Sequence, residues 1–280
     1  MPYIERPNEP TLYYDLDDYT DPWKKAPVIL LQHGFSRSSC FWYSWVPYLS
    51  RFYKVVRPDL RGLGRSSADF DFDKELGLEI YFSDLNAIID HVGADSVHYC
   101  GESFGGILGM AFAGTHRERV RTLSLVSAPV YISDYDKEST TYGYGSRIEA
   151  LQKMGARAWA EASNAGRRFP ADADPGLLKW YCDEMGKGNV DLLVAMFRWV
   201  SGFTAEPYLP RITAPVLGLY PASGPVTDDE QLRLLKEKVR DLRLVTIPSR
   251  FHAIQNFEPA ACATHVLHFA AQRDGIACHE

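Results

Sequence analysis

Residues 96–109 constrain this chain more than any other stretch. A short apolar run at 97–100 predicts a buried strand, and Gly101-Glu102-Ser103-Phe104-Gly105 then passes at once into a small-residue segment expected to be helical. The pattern is G-x-S-x-G. A serine on so tight a strand-to-helix turn is held in a strained conformation, and glycines two residues to either side remove side chains that would clash. Such a turn pushes the hydroxyl out of the sheet, so Ser103 is the candidate nucleophile. The flanking sequence has to supply its partners.

The rest of the chain alternates in type. Apolar runs predict strands at 11–17, 26–32, 53–57, 122–126, 215–220 and 242–247. The run at 26–32 is continuous, as in a sheet covered on both faces. Helices are expected at 39–49, 78–92, 227–239 and 259–272. Within 78–92, Leu85, Ile88, Ile89 and Val92 fall at i, i+3, i+4 and i+7, which is one face of a helix. Thr227 to Glu230 has a capping-box pattern. Strand and helix in alternation imply an α/β fold, a mostly parallel doubly wound sheet with right-handed crossovers. Between 131 and 207 there is no strand-like run, only helical pieces such as the one that places Leu193, Met196, Phe197 and Val200 on one face. The expected organisation is a core of residues 1–130 and 208–280 with a helical cap inserted at 131–207. The cap's aromatics (Tyr142, Tyr144, Trp159, Trp180, Trp199) are expected more to pack a small subdomain than to line a pocket.

Charge and cysteines exclude several classes. A net charge of -6 and a pI near 5.8 leave no basic stripe for nucleic acid or anionic membranes. The five cysteines are scattered without CxxC pairs, which argues against a disulfide framework and a zinc site and fits reduced thiols in the cytoplasm. No export signal and no run of about 18 apolar residues is seen, so no membrane span is expected. The pair His265 and His268 lacks matched carboxylates or thiolates, and no metal or other cofactor is called for. The glycines of Asp59-Leu-Arg-Gly-Leu-Gly-Arg-Ser66 fit neither common phosphate-loop spacing and predict a structured loop.

A serine hydroxyl needs a base, and histidine titrates nearest neutral pH. His252 lies just past the last expected strand, on the same side of a parallel sheet as Ser103. The anion formed in acyl transfer needs backbone donors. The N–H of Phe104, after the nucleophile, and that of Phe35, after His33-Gly34, form the expected oxyanion hole.

Together these motifs resemble the α/β-hydrolase superfamily: the His-Gly segment, the Asp-x-Arg-Gly-x-Gly-x-Ser loop, the G-x-S-x-G turn, the strand at 215–220 and the terminal histidine loop occur in that family's order. The resemblance implies an acyl hydrolase of the serine esterase type with a Ser-His-acid triad, Ser103 and His252 filling two places. It departs at the third. The acid position after the 215–220 strand is Gly224, and the other place used in the family is held by Val126-Ser127-Ala128. Asp228, Ser127 as a neutral partner, or a Ser-His dyad are the alternatives, and Glu102 is expected in the pocket or its hydrogen-bond network.

The expected function is hydrolysis of an ester, lactone or amide of a small molecule. The alternatives are a carbon–carbon bond hydrolase or cofactor-free lyase on the same fold, and a ligand-binding protein with weakened catalysis. Arg37, beside the oxyanion loop, is either an attractor for a substrate carboxylate or a solvated surface residue. Substrate identity and oligomeric state are not encoded in any motif.

Overall fold

The computed structural model describes residues 2–278. One eight-stranded sheet organises it, in the order β1-β2-β4-β3-β5-β6-β7-β8. The strands are β1 (Tyr3–Arg6), β2 (Glu9–Asp17), β3 (Val28–Gln32), β4 (Lys54–Pro58), β5 (Val97–Glu102), β6 (Val120–Val126), β7 (Val216–Pro221) and β8 (Leu242–Ile247). β1 and β2 are antiparallel additions at one edge, and the other six run parallel. The expected α/β architecture is thus present. β1 was not anticipated, being four residues long and mostly outside the core.

Alternation along each strand divides the core between the two faces of the sheet. Ile29, Leu31, Val55, Cys100, Leu217 and Leu219 face one layer, which holds Trp42, Trp45 and α10 (Pro259–Asp274). Val28, Leu30, Val56 and Tyr99 face the opposite layer, which holds α2 (Leu78–His91) and α3 (Phe104–Thr115). Residues Phe104 to Gly114 of α3 are all buried, so its small residues serve close packing.

Residues 39–49 form two pieces where one helix was expected. A 3-10 helix covers Ser39–Trp45 and a single α-turn, α1, covers Val46–Leu49. Pro47 has no N–H to bond back one turn, so a continuous helix would lose a bond and clash at that turn.

Between β6 and β7 lie four helices: α4 (Asp134–Ser139), α5 (Arg147–Asn164), α6 (Pro175–Met185) and α7 (Val190–Ser201). α5 kinks at Gly155, whose φ of 78° breaks the helical path. This insertion reaches the core through specific bonds. Ser36 Oγ donates to the Met185 carbonyl (2.9 Å), and Ala205 N donates to the Val130 carbonyl (2.9 Å). α8 (Asp229–Lys238) and α9 (Ile254–Phe257) complete the set. Among the described residues no helix is long and apolar enough to cross a membrane.

Candidate active site

β3 has β4 on one side and β5 on the other, so the chain's winding reverses there and opens a crevice beyond the carboxyl ends of β3 and β5. Phe35 follows one of these strands and Ser103 the other. Ser103 has φ 52° and ψ −118°, a conformation that costs energy for a residue with a Cβ. Its N–H donates to the Val126 carbonyl (3.0 Å) and its carbonyl accepts from Gly106 and Ile107, which fixes the turn on both sides.

The glycines of the turn have spatial reasons. A Cβ on Gly101 would strike the Gly105 carbonyl, and one on Gly105 would lie 2.6 Å from the His33 carbonyl oxygen. A Cβ on Gly106 would strike Ala128. Helix α3 therefore starts in backbone contact with the end of β3. That contact sets the Phe35 loop beside Ser103.

His252 Nε2 lies 3.1 Å from Ser103 Oγ, in position to accept its proton. The His252 loop is tied to the insertion by two backbone bonds. His252 N donates to the Arg167 carbonyl and Ala253 N to that of Arg168, each at 3.1 Å. Burial, then the cations Arg37, Arg168 and Arg167, hold the imidazole pKa well below its usual value, so His252 is neutral at physiological pH.

Among the described residues no carboxylate completes a triad through the other ring nitrogen. Among the described residues, the carboxylate within 4 Å of His252 is Glu102, and its Oε1 is 3.5 Å from Nε2, the nitrogen that faces Ser103. Glu102 Oε2 pairs with Arg37 Nη1 at 2.7 Å, both side chains 1% exposed. Burial pushes the Glu102 carboxyl up and the Arg37 guanidinium opposes that shift. Arg37 Nε also donates to the Tyr181 hydroxyl (2.6 Å). Arg37 is thus neither a surface residue nor a lining residue of the cavity above Ser103.

The alternative acids are engaged elsewhere. Asp228 caps α8, accepting from Gln231 N (2.9 Å). Ser127 is buried and its Oγ has no hydrogen-bond partner, so it does not hold His252. At Gly224 a Cβ would approach Pro221 Cγ to 2.8 Å, so a larger residue requires that loop to shift.

Other sequence candidates have structural roles. His33 Nε2 accepts from Leu60 N (3.0 Å), which leaves Nδ1–H to donate to the Gly34 carbonyl (2.8 Å), and burial pushes its pKa down to about 3. Asp59 accepts from Ser39 N and Arg65 N, bracing the glycine-containing loop. Arg61 in the same loop holds Asp84 through both carboxylate oxygens at 2.7 Å.

Above Ser103 is a cavity of about 540 Å³ counted out to its mouth. Its reactive end presents Phe35, Ser103, Phe104 and His252. Neither Phe35 N nor Phe104 N has a hydrogen-bond partner among the described residues. Arg147, Arg167, Arg168 and Asp136 also line the cavity, and no motif in the sequence marks them. Of the cap aromatics, Trp159 lines the cavity, whereas Trp180 packs on Phe41 and Trp199 stacks on Phe203.

Known proteins share this fold. The chain is 25% identical over 276 residues, 94% of its length and 99% of the relative's, to the protein of Agrobacterium fabrum named "Putative carbamate hydrolase RutD". It is 27% identical over 196 residues, 67% of its length and 69% of the relative's, to karrikin insensitive 2 receptor IA of Petunia hybrida. The enol-lactonase of Burkholderia xenovorans superposes with a TM-score of 0.85 at 23% identity, over 96% of this chain and all of that one. The family model for the alpha/beta hydrolase fold matches residues 27–259, and the chain belongs to that family.

Proposed function

We propose that this protein is a serine hydrolase that cleaves an ester, lactone or amide of a small molecule through an acyl-enzyme on Ser103. The observation that carries the reading is the 3.1 Å contact of His252 Nε2 with Ser103 Oγ at the base of a cavity. The hydrolase and lactonase among the similar proteins support the same chemistry. His252 takes the Ser103 proton as the hydroxyl attacks the carbonyl, and the N–H groups of Phe35 and Phe104 receive the oxyanion. Protonated His252 then gives that proton to the leaving group. Water, deprotonated by the same histidine, releases the acyl group. The imidazolium formed on the way is faced by the Glu102 carboxylate at 3.5 Å rather than by an acid on its far nitrogen.

A second reading has its own observation. With no carboxylate on His252 Nδ1 and a relative named as a receptor, the pocket also suits a ligand-binding protein with little turnover. Steady-state hydrolysis of 4-nitrophenyl esters decides between them. The hydrolase reading expects many turnovers per site and a fall of about 10³-fold or more in kcat for Ser103→Ala. One stoichiometric release without turnover favours the receptor, and undiminished turnover by Ser103→Ala removes Ser103 from the mechanism.

A further inference from the structure

The cavity that Ser103 lines also holds three guanidinium groups and one carboxylate. Arg147 stands at the first turn of α5, and Arg167 and Arg168 follow that helix on the loop bonded to the His252 loop. Arg167 pairs with Asp136 through a short contact, and Arg147 Nη1 is 3.8 Å from the same carboxylate. Among the described residues no carboxylate forms an ion pair with Arg168, and Glu102 acts on it from beyond contact distance. Arg168 Nη1 donates to the Ser163 carbonyl (2.9 Å), to the Ser163 hydroxyl and to Asn164 Oδ1 (3.4 Å), all neutral acceptors. Its Nε is buried without a partner, and the residue is 9% exposed.

Arginine does not shed its proton in a protein, so the cavity keeps a surplus of positive charge. A buried cation held only by neutral acceptors is costly unless a counter-charge reaches it. Glu102 is in contact with Arg37 and acts on Arg168 only from a longer distance. Burial pushes the Arg147 and Arg167 pKa values down to about 10 and lowers that of Arg168 as well. The same cavity is lined by the apolar side chains of Ile132, Phe197, Val200 and Val226.

We infer that the cavity takes an ester or lactone whose acyl part ends in a carboxylate, the carboxylate bound by Arg168 with Arg147 and Arg167 while the carbonyl sits at Ser103. The assignment deepens the hydrolase reading of this site and rests on it. An apolar chain between the two groups suits the apolar walls, and the planar guanidinium suits a carboxylate in two-point contact. Asp136 in the same cavity repels a doubly charged phosphate more than a singly charged carboxylate.

Two esters that differ only in that group test the inference: mono-4-nitrophenyl adipate and 4-nitrophenyl hexanoate, each corrected for spontaneous hydrolysis. The wild-type protein is expected to show kcat/KM at least 10-fold higher for the adipate ester. Arg168→Gln and Arg147→Gln should each cut that ratio about 10-fold, with circular dichroism and Tm confirming that the variants are folded. In parallel, adipate itself should bind the Ser103→Ala protein in calorimetry and lose affinity at least 10-fold when Arg168→Gln is added. Equal or better turnover of hexanoate by the wild type overturns the inference, and this arm needs no variant. A ratio unchanged in both folded arginine variants overturns it also. If neither ester turns over while adipate binds in an Arg168-dependent way, the hydrolase reading fails and the carboxylate site stands.

Discussion

His252, the base of the proposed mechanism, stands among Arg37, Arg167 and Arg168, and burial and those charges together depress its pKa. In the unfolded chain the same group titrates near 6.5. As pH falls through that value the unfolded state takes up the proton first, so the stability contributed by a neutral His252 is present above about pH 6.5 and is lost below it. Urea midpoints between pH 7.5 and 5.5 should therefore fall more steeply for the wild type than for His252→Gln. The acid limb of kcat/KM should lie below pH 6.5, since the base stays neutral there. A limb at or above pH 6.5 contradicts the cationic surroundings. Glu102 opposes them from 3.5 Å. Glu102→Gln should move the limb to still lower pH, lower kcat/KM by about 10-fold or more, and cost about 3–5 kcal/mol in denaturant unfolding because Arg37 loses its buried partner. Ser103, Phe104, Phe35 and His252 were legible in the sequence because each is marked by a local turn or the end of an apolar run. The three arginines were not, because nothing in their spacing shows that the loop after α5 folds back onto the His252 loop.

The elements around the site are held by close backbone approach. Gly105 touches the carbonyls at the end of β3, and no flexible side chain lies there to move aside. Gly105→Ala should cost about 1–3 kcal/mol in denaturant midpoint and should lower kcat more than KM by displacing the Phe35 loop from Ser103. A variant of unchanged stability and kcat would mean that the α3 to β3 contact does not position the site. The parallel strands were readable since a continuous apolar run bounded by turn residues has few other uses. β1 and the broken helix at 39–49 were harder to read. β1 gains its place by pairing with β2 at the edge of the sheet, and the break at Pro47 occurs inside a stretch whose aromatic content also suits a helix.

Across the whole molecule, buried ion pairs join parts that are distant in sequence. Arg61, 1% exposed, holds both oxygens of Asp84 on α2 and also Glu9 on β2, which ties the loop after β4 to the edge of the sheet. Asp84→Asn removes that charge and should cost about 3–5 kcal/mol, a fall in Tm on the order of 5–15 °C. Activity per folded molecule should be unchanged, as measured by kcat/KM at a temperature well below the transition. The insertion between β6 and β7 is different in kind. It is held over the site by bonds such as Ser36 Oγ to Met185, the Arg37–Tyr181 contact and the two backbone bonds to the His252 loop, and by apolar packing such as Phe197 on Phe35, none of which has a sequence signature.

The most direct test of the central claim, an activated Ser103–His252 pair working without an acid on Nδ1, is reaction with a fluorophosphonate followed by peptide mass spectrometry. The account predicts a stoichiometric adduct on Ser103 that is lost, or formed at least 10³-fold more slowly, in His252→Ala. No adduct under conditions that label an ordinary serine esterase, or an adduct indifferent to His252→Ala, would contradict it.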